Sequence, residues 1–507
     1  MPTIVNGLLG SLSLGVHVSE SGERVGWDPV GRLARVYEVA RNALEYRADH
    51  LVRRAAIERI LKRQIVLKEP VFKIASDLIL ELKWARYVSE AEIRTLTVDD
   101  LGKILQKYVN ALNKGKLNRD WVVGIASAEV EEKINPNRDY LQFTTFAYHV
   151  VKKRLSLPDI PYLDLVLYTC VDKVYSQSDN QQIAYHLWKL VKSQAKSGHF
   201  DEEALLEETA RQYNLAVTHK LQNSLGTYIR QQMPPLVLMR DMYFANPKKF
   251  SVIIDYETDF TNMANEVLES QLSQMKRRMN TAAVRSLIYV FLTKMLLIII
   301  LEMPLEKLFK GGISVVPLVI NLIFPVVLMW YLSSRIKLPD KETEERLIVQ
   351  AWKVAHSEKY TVDELDMYLG PRPVSKSRWI VYYSLYAVLF LIIFTLLGYG
   401  LNWIGFGVFN IIIFIFFLCV VSFFAYRIRQ TAQVYTFKPK EQRKTAFVEM
   451  VVLPVVVVGS VLSREVSRLN FLVFIFDFVL EAPFKIILRF LDSWMDFLSV
   501  KRDEAVG

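Results

Sequence analysis

The sequence predicts an all-α protein: a helical cytoplasmic domain, then an α-helical membrane domain of about four spans in two hairpins, then C-terminal interfacial amphipathic helices. Three observations carry that expectation. Hydropathy splits the chain near Arg285, with polar sequence before it and apolar runs of bilayer-crossing length after it. Apolar residues in the polar half recur at helical rather than alternating spacing. Lys and Arg gather beside the apolar runs, where the positive-inside rule uses them to fix sidedness. These patterns set the boundaries: a cytoplasmic domain over 1–281, a first hairpin over 282–334, a linker with an amphipathic helix over 335–378, a second hairpin over 379–426, and a basic loop with surface helices over 427–507.

Start and stop signals divide the polar half. Asp28 before Pro29 opens a long amphipathic helix whose stripe runs through Leu33, Val36, Tyr37, Ala40, Leu44, Leu51 and Ala55. Ser89 with Glu92 has capping-box spacing. Thr97 with Asp100 marks another N-cap, with Leu101, Ile104, Leu105, Tyr108 and Leu112 on one face and Gly115 as the stop. Asp201 precedes a Glu-rich first turn, and Asp201, Glu202 and Glu203 with Glu207 and Glu208 form a carboxylate group that a solvated helix start explains. Pro136, Pro158, Pro161, Pro234 and Pro235 punctuate the remaining helices. From Thr258 to Met279 a helical pattern without Gly or Pro runs into the first apolar segment, which leaves two readings: one continuous rod, or a break near Asn280 and Thr281.

The first crossing is Ser286–Leu301 and the second Gly312–Leu332, with Glu302–Gly311 as the outer turn. The third is about Trp379–Leu397 and the fourth about Phe406–Tyr426, joined by the uncharged Gly398–Gly405. Asp340–His356 reads as a charged surface helix between the hairpins. Arg277, Arg278 and Arg285 precede the first span, and Arg427, Arg429, Lys438, Lys440, Arg443 and Lys444 come after the last, so these residues are expected to meet anionic headgroups with both termini in the cytoplasm. Val448–Leu462 is apolar but short and interrupted by Pro454 and Gly459, as a re-entrant or interfacial segment would be. Beyond it Asp477, Glu481, Lys485 and Arg489 recur every fourth residue and line one face of an interfacial helix. A further spanning pair over 448–498 is the competing reading.

Few residues suggest chemistry. Lys294 falls near the middle of the first apolar run, where a charge costs several kcal/mol unless it snorkels, pairs or meets water. It either lines a polar path with Asn321 of the second span or acts as structural glue, and no acidic partner stands out. Glu302 lies about two turns further along, where a Glu caps a helix or meets headgroups. The seven histidines are scattered without the close-spaced pair of a zinc site, and the two cysteines, Cys170 and Cys419, stand one in each half. Gly398, Gly400, Gly405 and Gly407 lie between spans, where they ease a turn and let helices approach, rather than in a phosphate loop. No nucleotide, hydrolase or metal motif is found, so neither enzyme activity nor a cofactor is expected.

The net charge of +10 is assigned to lipid rather than nucleic acid. One basic cluster stands away from the spans: Arg53, Arg54, Arg59, Lys62, Arg63 and Lys68, either a solvated helix face or a docking patch for an acidic partner.

Thr293-Lys294-Met295 with Glu302 and Pro304, Asn321 with Pro325, and Asp477 to Lys485 resemble segments of uncharacterised multi-spanning membrane proteins of small-genome bacterial lineages. That resemblance implies a bacterial inner membrane and no known activity. The function expected from the sequence is a membrane-anchored scaffold or assembly factor with a protein partner or self-association. The alternative is an oligomeric channel or transporter with Lys294 and Asn321 on its path.

Overall fold

The computed structural model describes residues 3–12, 51–194, 202–298, 302–310, 315–334, 338–356, 376–432, 435, 452–462 and 494, apart from gaps at 67, 86, 89–96, 137 and 156–160. The described residues form an all-helical protein without strands. The chain divides into two compact units between Met233 and Pro234: Met1–Met233 belongs to the first, Pro234–Val354 and Val362–Phe474 to the second, and Ala355–Thr361 and Ile475–Gly507 are grouped with the first. Hydropathy changes later, near 281, because the second unit begins with polar helices that pack among themselves before the apolar ones start.

The first unit is built from α1 (Thr3–Ser11), α2 (Val52–Val66), α3 (Val71–Trp84), α4 (Val98–Asn113), α5 (Arg119–Ile134), α6 (Arg138–Arg154), α7 (Leu163–Tyr175), α8 (Asn180–Gln194), α9 (Glu202–Val217) and the start of α10 (Gln222–Ala245). α2 lies along α5, α3 along α4, and α8 crosses both α5 and α9. Ile57, Leu61, Leu78, Leu105, Val122 and Leu187 meet in the core between them. Local signals set the ends. The Thr97 hydroxyl accepts from Asp100 N at 3.1 Å and opens α4, Asn118 caps α5 by accepting from Trp121 N at 3.1 Å, and Gly115 at φ +68° turns the chain between them. The Asp28 start, the stripe up to His50 and the Ser89–Glu92 box lie outside the described residues.

Pro234 and Pro235 do not end a helix; they lie inside α10. An interior proline removes a backbone hydrogen bond at a cost of about 3 kcal/mol. The next residues, Leu236, Leu238, Met239 and Met242, are fully buried, so packing of that stretch outweighs the loss.

The basic cluster of α2 is neither a solvated face nor an open docking patch. Arg53 forks onto Glu131 at 2.8–2.9 Å and donates to the Tyr87 carbonyl, while Arg63 pairs with Glu81 and Lys62 bridges Glu58 and Asp120. Arg54, 1% exposed, holds Glu58 at 2.8 Å, Ser127 Oγ at 3.0 Å and Asp179. Burial works against the Glu58 charge, but Arg54 and Lys62 outweigh it and keep its pKa low. The acidic start of α9 is likewise paired, with Glu203 on Lys114, Glu207 on Lys116 and Glu202 on Lys192. Charge repetition on a helix reads as a solvated face in sequence; here the complementary charges come from neighbouring helices.

The second unit continues with α11 (Pro247–Ile253), α12 (Glu257–Leu297), α13 (Met303–Lys310), α14 (Val315–Ser334), α15 (Lys341–His356), α16 (Lys376–Trp403), α17 (Val408–Ala432) and α18 (Val452–Leu462). α12 is continuous for 41 residues, with no break at Asn280 and Thr281. α15 is not simply a charged surface helix: Leu347, Ile348 and Ala351 are buried, and Trp352 meets Phe260 of α12 edge to face at 5.3 Å.

Three described helices are long and apolar enough to cross a membrane: Val315–Ser334, Tyr383–Trp403 and Val408–Tyr426. α14 packs on both α12 and α17, whereas α16 touches little and exposes Ile380, Leu385, Leu391 and Leu396. Gly398 and Gly400 belong to α16 with open space around them, so they bring no helices together; the turn falls later, at Gly405 with φ +94°. Close approach occurs instead at α18, where a Cβ on Gly459 would lie 2.0 Å from the Cys419 carbonyl oxygen of α17. Only a glycine lets the two backbones meet there.

Candidate functional site

Among the described residues the apolar helices enclose one ionic centre, and the patterns of two helices build it. On α14 the buried residues are Pro317, Asn321, Pro325 and Met329, one every fourth position, while Val316, Val319, Ile323 and Val327 on other faces are exposed. On α17 the buried positions Asn410, Phe414, Phe417, Val421 and Ala425 keep the same three-and-four spacing. The last turns of α12 pack against both stripes and bring in Lys294.

Lys294 Nζ lies 2.6 Å from Glu302 Oε1, and Asn321 Nδ2 donates to the same oxygen at 2.8 Å. The ammonium also stands 4.6 Å from the centroid of the Phe417 ring, within cation–π range. Lys294 and Asn321 are 0% exposed and Glu302 1%. Two acceptors stay unpartnered in this enclosure, Glu302 Oε2 and Asn321 Oδ1.

Glu302 therefore neither caps a helix nor reaches headgroups; it is the acidic partner of Lys294. In a regular α-helix residues eight apart are separated by about 12 Å along the axis. Here the α-helix ends at Leu297, and Ile298 and Glu302 have π-helical backbone, which breaks the regular register between the two charges. Sequence spacing hides such a contact. It hides Phe417 too, one phenylalanine among many, although the four-residue recurrence of Pro317, Asn321 and Pro325 marks the face of α14 that carries a polar group.

Chemically the centre is a neutral pair with spare acceptors. An isolated charge in this setting costs several kcal/mol, and pairing removes most of that cost only when hydrogen bonds complete it. One carboxylate oxygen is satisfied twice and the other not at all, so the centre has capacity for a further donor or cation.

The expected lipid-contact residues divide. Arg277 and Arg278 are exposed on α12, ahead of its apolar end. The side chains of Arg285, Arg427 and Arg429 lie outside the described residues, as do Lys438, Lys440, Arg443 and Lys444 and the expected surface helix with Asp477, Glu481, Lys485 and Arg489.

In the first unit His186 Nδ1 lies 2.7 Å from Asp172, whose other oxygen accepts from Ser178 at 2.7 Å. The serine bonds the aspartate rather than the imidazole, so the three side chains form no nucleophilic relay. Burial opposes a charge on His186, but Asp172 outweighs it and raises the pKa. Cys170, 2% exposed, has its thiol pushed up to about 12 by burial, as expected of a packing residue. Among the described residues no three His, Cys, Asp or Glu side chains converge as metal ligands would.

Neither a protein-family profile, nor a curated protein, nor a solved structure matches the chain.

Proposed function

We propose that the protein is a membrane-anchored scaffold or assembly factor, with the helical first unit presented to protein partners in the cytoplasm and the apolar helices of the second unit holding it in a cell membrane. The observation that carries this reading is α12, a single helix from Glu257 to Leu297 that joins polar sequence, with Arg277 and Arg278 exposed, to the bilayer-facing bundle and ends on a buried ion pair. Such a helix fixes its polar half to its apolar half rather than leaving a flexible tether. In this reading Ser286–Leu301 is a fourth crossing that pairs with α14 as the first hairpin, and α16 with α17 forms the second. Both termini are cytoplasmic, the membrane is a bacterial inner membrane, and Arg277, Arg278, Arg285, Arg427 and Arg429 contact anionic lipid.

The first unit supports partner binding in one further respect. Among its described residues Arg53, Arg54, Lys62 and Arg63 of α2 are paired with acidic side chains of the same unit, yet Val66 and Phe72, at the α2–α3 corner, are each 62% exposed. Exposed apolar side chains beside an internally neutralised surface suit a protein contact better than a nucleic-acid one. The test is a photoreactive amino acid at Phe72 in the intact chain in cells. The reading expects one defined crosslinked protein of fixed mass; crosslinks only to copies of the chain, or none, oppose it.

The second reading, an oligomeric channel or transporter, is favoured by the convergence of Lys294, Asn321 and Glu302 on one point. All three are closed off by packing, as a structural pair would be and an open path would not.

A further inference from the structure

α18 is apolar from end to end yet too short to cross a bilayer: from Val452 to Leu462 it rises about 15 Å, half of the roughly 30 Å hydrocarbon core. It carries no charged residue, and its one hydroxyl, on Ser460, donates to the Val457 carbonyl at 2.8 Å. It therefore lacks the polar face that a helix lying on the membrane surface turns to water. Contact with α17 gives its depth. Gly459 is buried against the Cys419 carbonyl and Phe423 Cβ. Cys419 lies seven residues, about 10 Å, inside the apolar window that ends at Tyr426, and a surface helix stays above that level.

The chain leaves α17 past Arg427 and Arg429 and reaches α18 through Lys438, Lys440, Arg443 and Lys444, basic sequence of the kind retained on one side of a membrane. α18 thus starts at the Arg427 end of α17. Gly459 is seven residues past Val452, the same spacing that separates Cys419 from Tyr426, so Val452 stands level with Tyr426 and Leu462 near the middle of the bilayer. Arg464, Glu465 and Arg468, next in sequence, oppose a continued crossing. Leu453, Val457 and Val461, 48%, 38% and 41% exposed, recur every fourth residue on the face opposite Gly459. We propose that α18 is a half-membrane helix: it enters the bilayer beside the Arg427 end of α17, stops near the midplane, and presents Leu453, Val457 and Val461 to the acyl chains of that leaflet. Val448–Leu462 is then neither a surface segment nor one crossing of a further spanning pair. This placement rests on the apolar helices lying in a bilayer; it needs no partner of the first unit and no choice of which side is cytoplasmic.

The test uses the full-length protein in phosphatidylcholine vesicles, with a nitroxide on one added cysteine at a time: Leu453→Cys, Val457→Cys or Val461→Cys. Cys170 and Cys419 are buried and stay in place, with the unaltered chain as the labelling blank. Depth is read from the ratio of nitroxide collisions with oxygen to collisions with a water-soluble nickel chelate. Tyr426→Cys on α17 and Leu391→Cys on α16, both exposed, serve as the shallow and deep references. All five labels replace exposed side chains, so the packed faces are left alone. The label at Leu453 should match the Tyr426 reference, and each step to Val457 and Val461 should lie about 6 Å deeper, approaching Leu391. Three equal depths, as a surface helix gives, overturn the proposal. A gradient that runs the other way overturns it too. If Leu391 itself is no deeper than Tyr426, the bilayer reading falls and the half-membrane helix falls with it, whereas a correct Leu391 reference with a flat α18 series removes the half-membrane helix alone.

Discussion

Lys294 and Glu302, eight residues apart, form a fully enclosed ion pair with 2.6 Å between Nζ and Oε1. Asn321 completes one side and the Phe417 ring another. The pair ties the end of α12 to the chain just beyond it and, through Asn321, to α14. It accounts for a lysine in a run of apolar sequence without requiring water at that depth.

Removing one partner of a buried pair leaves the other uncompensated, which typically costs about 3–5 kcal/mol. Lys294→Leu and Glu302→Leu should each destabilise the second unit on that scale, and the double variant should cost less than either. Unfolding midpoints of the four proteins in detergent measure the coupling. Additive losses would show that the pair is not a unit.

Arg54 should behave similarly in the first unit. It is the buried centre of a network with Glu58, Ser127 and Asp179. Arg54→Met keeps most of the volume but leaves the buried Glu58 to Lys62 alone and takes the cation from Asp179, and a loss of about 3 kcal/mol is expected. Chemical denaturation monitored by a first-unit tryptophan such as Trp188 checks it.

His186 gives a pH signature. Its folded pKa is raised above 6.5 because Asp172 outweighs burial, with Glu132 adding to the effect and Lys189 opposing it. A raised pKa means that the stabilisation is complete below the unfolded value and is lost as pH climbs through the folded one. The stability difference between wild type and His186→Gln should therefore be largest in mild acid and shrink above neutrality. A difference that grows with pH would contradict the assignment.

At Gly459 a side chain has no room, since its Cβ would reach the Cys419 carbonyl. Gly459→Val should separate α18 from α17 and expose Cys419, which is 0% exposed in the native bundle. Maleimide labelling of native protein should rise from near zero at Cys419. Cys170 should stay unlabelled and serves as the internal control.

Much of the fold was legible because periodicity and caps act locally. Thr97 and Gly115 mark helix ends through local backbone chemistry, and the apolar lengths of α14, α16 and α17 declare themselves; the Asn118 cap of α5 emerges only from the structure. The hidden features depend on partners distant in sequence. The cationic face of α2 gave no sign that Glu131, Glu81 and Asp179 would meet it. The prolines of α10 read as stops because the packing that overrides them comes from elsewhere in the fold. At the candidate site Lys294 and Asn321 stood out by polarity. Glu302 was visible but misplaced, since regular helix geometry puts it too far from Lys294.

Whether the protein is a scaffold fixed in the membrane is decided by brief crosslinking in cells, extraction into native nanodiscs, and measurement of complex mass together with co-purifying proteins. A scaffold should bring down a foreign protein in fixed stoichiometry with this chain. A homo-oligomer free of any partner would contradict that reading and favour the pore.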